Sequence, residues 1–284
     1  MKIAVVGLGL IGGSIAKTLK KNTNHSVYAI NRNQQTLKTA LSEEAIDGAI
    51  TAEELKDMDV VFIGLYAGLT IDFVLKNADK FKKGAVVADT CGVKTEIVKA
   101  LTKPLAERGV HFVGCHPMAG REFSGYRYSL DNLFDNASCI LTPDEDTDQN
   151  AVQLLSELAH EMRFRKTVIS TPQEHDRVIA FTSQLAHIVS ASYVKSPSLF
   201  KQAGFSAGSF KDMTRVAYLN EDMWTELFML NKDALSFEIG CVINALQDYK
   251  NALDSGDSEK LHELLKESRE LKERSDENTA KQGG

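Results

Sequence analysis

The chain has 284 residues, an ordinary globular composition and a formal charge of −6 at neutral pH, enough length for two domains with a core each. The acidic balance, with no run of clustered Lys and Arg, excludes a general nucleic-acid binder, which needs a basic surface to meet phosphates. A small anionic substrate stays compatible with it, because a local cationic pocket can sit in an acidic protein.

In chain order, short apolar runs alternate with amphipathic stretches: Ile3 to Val6, a helix from about Ile11, then Val27 to Ile30, Val60 to Gly64, Ala85 to Asp89 and Val110 to Cys115. That alternation predicts an α/β fold, a Rossmann-type doubly wound parallel sheet with crossover helices. Ala137 to Leu141, a helix over about Asp148 to Met162, and Lys166 to Ile169 extend the same pattern. Beyond Thr171-Pro172 long helical periods take over, so a boundary is expected near residue 170: a dinucleotide-binding domain over 1–170 and an all-helical domain over 171–284. Leu261 to Arg274, charged and Leu-spaced, reads as a terminal helix followed by a frayed glycine-ending tail.

Four cysteines, Cys91, Cys115, Cys139 and Cys241, lie far apart without a C-x-x-C pair, so neither a zinc knuckle nor a redox dithiol is indicated and no metal is expected. No basic-then-apolar leader precedes the first strand, and no apolar run approaches the roughly 18 to 20 residues that cross a bilayer. A cytoplasmic protein without a membrane partner is expected.

Gly7-Leu8-Gly9-Leu10-Ile11-Gly12 follows the first strand and opens the first helix, the setting in which G-x-G-x-x-G binds a dinucleotide. Gly7 then makes the tight turn, Gly9 lets the backbone approach a pyrophosphate, and Gly12 lets helix and strand pack closely. The second strand should end on an acid for the ribose of NAD. Here it ends on Asn31-Arg32-Asn33. Without the carboxylate a 2′-phosphate is not repelled, and Arg32 can bond it, so NADP is favoured and NAD remains possible through Asn31. Ligands sit outside the carboxyl ends of the strands, which adds Leu65, Tyr66, Thr90 and Gly92 as cofactor neighbours.

His116-Pro117-Met118-Ala119-Gly120-Arg121-Glu122-Phe123-Ser124-Gly125 ends the Val110 to Cys115 run, and a residue before proline is held extended, so His116 is expected at the carboxyl edge of the sheet. Three further segments stand out: Glu174-His175-Asp176; Ser183-Gln184-Leu185-Ala186-His187; and Phe210 to Arg215 followed by Met223-Trp224. Ser183 and His187 are expected on one face of a helix. Taken together, and in this order over nearly all of residues 1 to 250, these motifs resemble the prephenate and arogenate dehydrogenases of tyrosine biosynthesis.

The resemblance implies a helical dimerisation domain, a homodimer, and an active site between the domains. It implies oxidative decarboxylation of prephenate to 4-hydroxyphenylpyruvate and CO2, or of arogenate to tyrosine, with hydride passed to NAD(P). It also implies roles: His116 as acceptor of a hydrogen bond from the ring hydroxyl, Arg215 as the clamp on a substrate carboxylate, Ser183 and His187 lining the cleft, and Glu122, Gln184 and Trp224 beside the substrate.

Two departures stand against the family pattern. The usual Asp-x-x-Ser-Val-Lys run reads Asp89-Thr90-Cys91-Gly92-Val93-Lys94, so a hydroxyl that orients the imidazole is missing, with Thr90 or a water as its substitute. Gln184 and Arg121 replace a histidine and a threonine found in other members. His175, between two acids, is expected to stabilise a helix start rather than to touch substrate. A β-hydroxyacid dehydrogenase is a poorer match, since its lysine motif has no counterpart at Ala207-Gly208-Ser209. A cofactor-binding sensor without turnover is supported by Gly92 alone.

Overall fold

The computed structural model describes residues 1–121 and 123–282. Its first part runs β1 (Lys2–Val6), α1 (Leu10–Asn22), β2 (Ser26–Ile30), α2 (Gln34–Ser42), β3 (Gly48–Ala49), β4 (Val60–Ile63), α3 (Ala67–Lys76), β5 (Val86–Asp89), α4 (Thr95–Ala106) and β6 (His111–Pro117). Then come β7 (Ser138–Thr142), α5 (Gln149–Glu161) and β8 (Lys166–Ile169). β4 and β5 are buried along their whole length, which is why they read as unbroken apolar runs and not as alternating ones. In β1 the two faces separate cleanly. Ile3 and Val5 enter one core with Ile15, Leu19 and Leu155, while Ala4 and Val6 enter the other with Val61, Ile63 and Leu101.

The strand order is β3-β2-β1-β4-β5-β6-β7-β8. Winding reverses between β1 and β4, and the crevice at such a switch point is where an open α/β sheet takes its ligand. Neighbours from β3 to β6 are parallel, as the crossover helices require. β7 departs from the uniformly parallel expectation by pairing antiparallel to β6, with β8 parallel to β7. The cause is the connection: the described residues between β6 and β7 supply a short 3-10 turn at Tyr126–Tyr128 and, among them, no crossover helix, so the chain returns in the opposite direction.

This switch gives β6 two partners. His111 to Val113 pair with β5, and Gly114 to Pro117 pair with β7. The strand therefore overshoots β5 and carries His116, opposite Ile140, beyond the carboxyl edge of the parallel sheet. Extended backbone at His116 is what the following proline demands.

Helices follow β8: α6 (Pro172–Ile179), a π-helical turn (Ala180–Leu185), α7 (Ala186–Tyr193), α8 (Gly208–Thr214) and α9 (Glu221–Leu230). Thr171 caps α6 by accepting from the Glu174 amide, with Pro172 in the first turn, a combination worth about 1 kcal/mol through the cap. The chain divides into two compact units, Met1–Lys232 and Asp233–Gly284. The second holds most of α10 (Lys232–Ser255) and α11 (Ser258–Gln282), joined through Gly256 at φ +67° and by a 2.8 Å hydrogen bond between the Tyr249 and Ser268 hydroxyls. The terminal helix is longer than the Leu spacing predicts, and the glycine tail lies outside the described residues.

Candidate active site

The glycine loop is built as its sequence requires. Gly7 has φ +90°, and a Cβ there would lie 2.6 Å from the Gly64 carbonyl oxygen. At Gly12 a Cβ would run into the Gly7 carbonyl at 2.0 Å, so only glycine lets α1 start this close to β1. Gly9 is different: nothing stands within 4 Å of a Cβ built on it. It caps α1 without a side-chain bond, which leaves the first-turn amides and the positive helix end to an anionic ligand. These features fit a dinucleotide pyrophosphate.

Around the loop, Leu65 packs against Gly7, its carbonyl accepts from the Cys91 thiol, and Tyr66 is exposed at the start of α3. Asn31 turns inward: its Oδ1 accepts from the Leu8 amide at 3.0 Å and its Nδ2 donates to the Asn33 carbonyl. Asn33 in turn caps α2. Arg32 is exposed and makes no side-chain hydrogen bond or ion pair among the described residues.

His116, part-buried, faces two further ionisable groups. Its Nδ1 lies 2.8 Å from His175 Nε2, and His175 Nδ1 lies 2.7 Å from Asp176 Oδ1. Asp176 is anchored from the other side, since Oδ1 also accepts from the Lys94 amide at 2.7 Å and Oδ2 from the Thr95 amide at 2.8 Å. The carboxylate thus caps the N-terminus of α4 from α6, where the helix dipole favours its charge.

Lys94, fully buried, pairs with the buried Asp89 and donates to the Cys115 carbonyl at 2.9 Å. Burial, then the charges of His175 and Lys94, hold the His116 pKa well below the usual histidine value. His175 is likewise lowered, by burial first and against the pull of Asp176. Asp176 remains below the usual carboxylate range because its hydrogen bonds to His175 and Thr95 outweigh the opposing cost of burial, the largest single effect on it.

The missing serine has its explanation here. A Cβ at Gly92 would sit 3.7 Å from Leu227 and 4.0 Å from His116 Cε1, so a side chain fits, and the imidazole has His175 at 2.8 Å as a hydrogen-bond partner. Thr90 does not take that role, because its hydroxyl donates to the Ile63 carbonyl. His175, expected to stabilise a helix start, also lies against the His116 ring. Asp176 and Lys94 are further members of the site that sequence reasoning passed over. A signal existed: α6 buries Pro172, His175, Asp176 and Ile179, an inward stripe at helical spacing that carries two ionisable groups.

The other constellation gathers on α7, α8 and α9. Ser183 lies in the π-helical turn and not in a regular α-helix, so the simple one-face expectation for Ser183 and His187 is replaced by a local bond, His187 Nδ1 donating to the Ser183 carbonyl at 2.8 Å. The His187 ring lies against Trp224, tilted by 33° with centroids 4.1 Å apart. Burial, and then the charge of Arg215, lower its pKa, with the Ser183 carbonyl opposing them. Arg215 ends α8 with an exposed side chain.

Gln184, expected at the substrate, is buried instead. Its Oε1 accepts from Asn231 Nδ2 at 2.8 Å, and that amide also donates to the Asp176 carbonyl, so Gln184 ties α9 to the His116 network. Glu122 lies outside the described residues.

Fold and site together define a dinucleotide-binding protein with a histidine presented at the carboxyl edge of its sheet. Residues 15–176 match the family model "Prephenate dehydrogenase, nucleotide-binding domain" and residues 171–267 the model "Prephenate dehydrogenase, dimerization domain"; the chain belongs to the prephenate dehydrogenase family. A prephenate dehydrogenase of Bacillus subtilis is 31% identical over 280 residues, 95% of this chain and 75% of that protein.

Among solved structures, the prephenate dehydrogenase from A. aeolicus in complex with hydroxyphenyl propionate and NAD+ matches with TM-score 0.83 and 29% identity over 96% of this chain and 98% of that one. The Synechocystis arogenate dehydrogenase matches with TM-score 0.81 and 27% identity, covering 97% of this chain and all of that one. Among the described residues no helix is long and apolar enough to cross a membrane.

Proposed function

We propose that this chain oxidises the ring hydroxyl of prephenate with loss of CO2, giving 4-hydroxyphenylpyruvate in tyrosine biosynthesis. The observation that carries the reading is the imidazole of His116, held neutral by burial and by Lys94 at the sheet edge that also bears the glycine loop. A neutral imidazole can accept the hydroxyl proton, help commonly worth roughly 10²- to 10⁴-fold. When bound, a nicotinamide supplies the acceptor for the hydride released from the hydroxyl carbon. Gly7, Gly9, Gly12 and the amides of α1 hold its dinucleotide, with Leu65, Tyr66, Thr90 and Gly92 along the same edge.

On the substrate side, Arg215 clamps a carboxylate through its planar fork of donors. Ser183, His187 and Trp224 line that end of the cleft, and the lowered pKa of His187 keeps it an uncharged neighbour for the clamp. Orientation by these groups lets ring carboxylate loss follow as the carbonyl forms. In this reading residues 1–170 bind the cofactor, and the helical domain from 171 binds substrate and pairs two copies of the chain. NADP is the favoured cofactor, on the grounds of Arg32 and the absence of an acid at Asn31. Arogenate is the second reading, supported by the likeness to the Synechocystis structure. Initial rates with prephenate and arogenate, each crossed with NAD and NADP, test both. Reduction of neither cofactor by either substrate refutes the assignment.

A further inference from the structure

His116 alone does not decide which of its nitrogens carries the proton, and only one arrangement leaves it able to take a proton from a substrate. A neutral imidazole has one donor and one acceptor, and the partner of one nitrogen sets the state of the other. The chain of contacts behind the ring fixes that choice from its far end.

Asp176 is a carboxylate and can only accept. It is held by the amides of Lys94 and Thr95 at 2.7 and 2.8 Å, so its position and charge are set by α4 and not by the histidines. At 2.7 Å from Asp176, His175 Nδ1 must therefore be the donor. A neutral His175 then has its lone pair on Nε2, and the 2.8 Å contact with His116 requires His116 Nδ1 to donate. The lone pair of His116 is left on Nε2.

We propose that His175, held by Asp176, is the positioning residue that fixes His116 in the Nδ1–H tautomer, so that Nε2 accepts the substrate's hydroxyl proton. The assignment rests on the reading of His116 as the proton acceptor. As the hydroxyl O–H bond breaks, its proton forms a bond to Nε2 and its electron pair stays on oxygen; that pair becomes the second C–O bond as the carbon's C–H bond gives up its hydride, for which a bound nicotinamide would be the acceptor. His116 then holds two N–H bonds, and the charge is shared by passing the Nδ1 proton toward His175 Nε2, whose cation would face Asp176 directly. Without Asp176 the His175 ring is free to reverse its tautomer, and a reversed His175 forces the proton of His116 onto the wrong nitrogen. In other histidine–carboxylate pairs the wrong tautomer costs on the order of 10⁴-fold in turnover.

The groups facing the two rings are Asp89 at the end of β5, Lys94 before α4 and Asp176 on α6. Asp89 and Lys94 pair with each other, and Asp176, which accepts from the Lys94 and Thr95 amides, is the carboxylate bonded to His175.

The test has an arm independent of turnover. In the full chain labelled with ¹⁵N-histidine, long-range proton–nitrogen correlation at pH 7.5 is expected to show pyrrole-type Nδ1 and pyridine-type Nε2 for both His116 and His175. A pyridine-type Nδ1 on His116 overturns the proposal, whether or not the substrate assignment holds.

In kinetics, His175→Leu is expected to lower kcat by about a hundredfold or more with KM within threefold, whereas His175→Gln, whose amide oxygen can accept from Nδ1–H, recovers at least tenfold of that loss. Equal losses in the two variants, or a KM effect alone, would show that the ring only fills space. Should His175→Leu fail to fold, the nitrogen shifts of the wild type still decide. A wild type that turns over neither prephenate nor arogenate defeats the substrate reading and leaves the tautomer assignment to the spectrum.

Discussion

The buried ammonium of Lys94 donates to the carbonyl of Cys115, the residue immediately before His116. Burial disfavours a positive charge on the imidazole, and this cation one peptide away acts in the same direction. The acid limb of kcat/KM is therefore expected below the ordinary histidine pKa of ~6.5. A limb at or above pH 6.5 would contradict this arrangement.

The Lys94–Asp89 pair makes its own prediction. Removing one partner of a buried pair strands the other charge, so Lys94→Met is expected to cost roughly 3 to 5 kcal/mol of stability, visible in urea or thermal denaturation. Lys94→Met with Asp89→Asn should recover much of that loss, since no bare charge is then buried. A single variant as stable as the wild type would show the pair to be solvated.

Stability itself should respond to acid. Burial is the first cause of the lowered pKa values of His116, His175 and His187, so the unfolded chain binds more protons than the folded one once pH drops below about 6.5. Stability from these groups is thus intact above that pH and declines below it. Asp176, also lowered, adds a loss only as pH falls below the usual carboxylate value of ~3.9. Melting temperature is expected to fall from pH 6.5 to 5, and His116→Asn should flatten the decline. An unchanged slope would place the titration elsewhere.

Much of this could be read in the sequence, because the strands that matter are buried on both faces and so appear as continuous apolar runs, and because proline forces His116 to be extended. The glycine loop was legible for a similar reason, since only glycine survives the contacts at Gly7 and Gly12. The antiparallel return of β7 was not, as periodicity carries no strand direction. The π-helical turn also escaped, because an added backbone residue per turn leaves the polar pattern from Ser183 to His187 unchanged. His175 looked like a capping residue until α6 was seen to turn it inward, where a partner 59 positions away in sequence gives it meaning.

His116→Asn should keep cofactor binding and lower turnover by at least roughly two orders of magnitude, the scale of a lost general base. Cofactor affinity by fluorescence and kcat with prephenate give the two readouts. Turnover within a few-fold of wild type would remove His116 from the chemistry.

At Arg215 the expected effect is on binding. In the proposed reading its bond is to a carboxylate present before the transition state, so Arg215→Ala should raise KM by about tenfold to a hundredfold, equivalent to roughly 1.5 to 3 kcal/mol, with a smaller change in kcat. A drop in melting temperature with KM preserved would instead mark the arginine as part of the α8 scaffold.

Cofactor choice turns on the end of β2. Asn31 already spends Oδ1 on the Leu8 amide, so it serves the glycine loop, while the exposed Arg32 has its guanidinium available to a 2′-phosphate. Arg32→Ala should then weaken NADP by about tenfold to over a hundredfold, the equivalent of roughly 1.5 to 3 kcal/mol for a bond to a charged group, and leave NAD nearly unchanged. Asn31→Asp keeps an oxygen for Leu8 and presents a second to the ribose hydroxyls, but it loses the bond to the Asn33 carbonyl. It should favour NAD and repel the phosphate of NADP. Calorimetric titration of both cofactors into the three proteins separates the effects. Equal affinity for NAD and NADP in the wild type, unmoved by Arg32→Ala, would reduce Arg32 to a solvated turn residue and leave Asn31 with the loop alone.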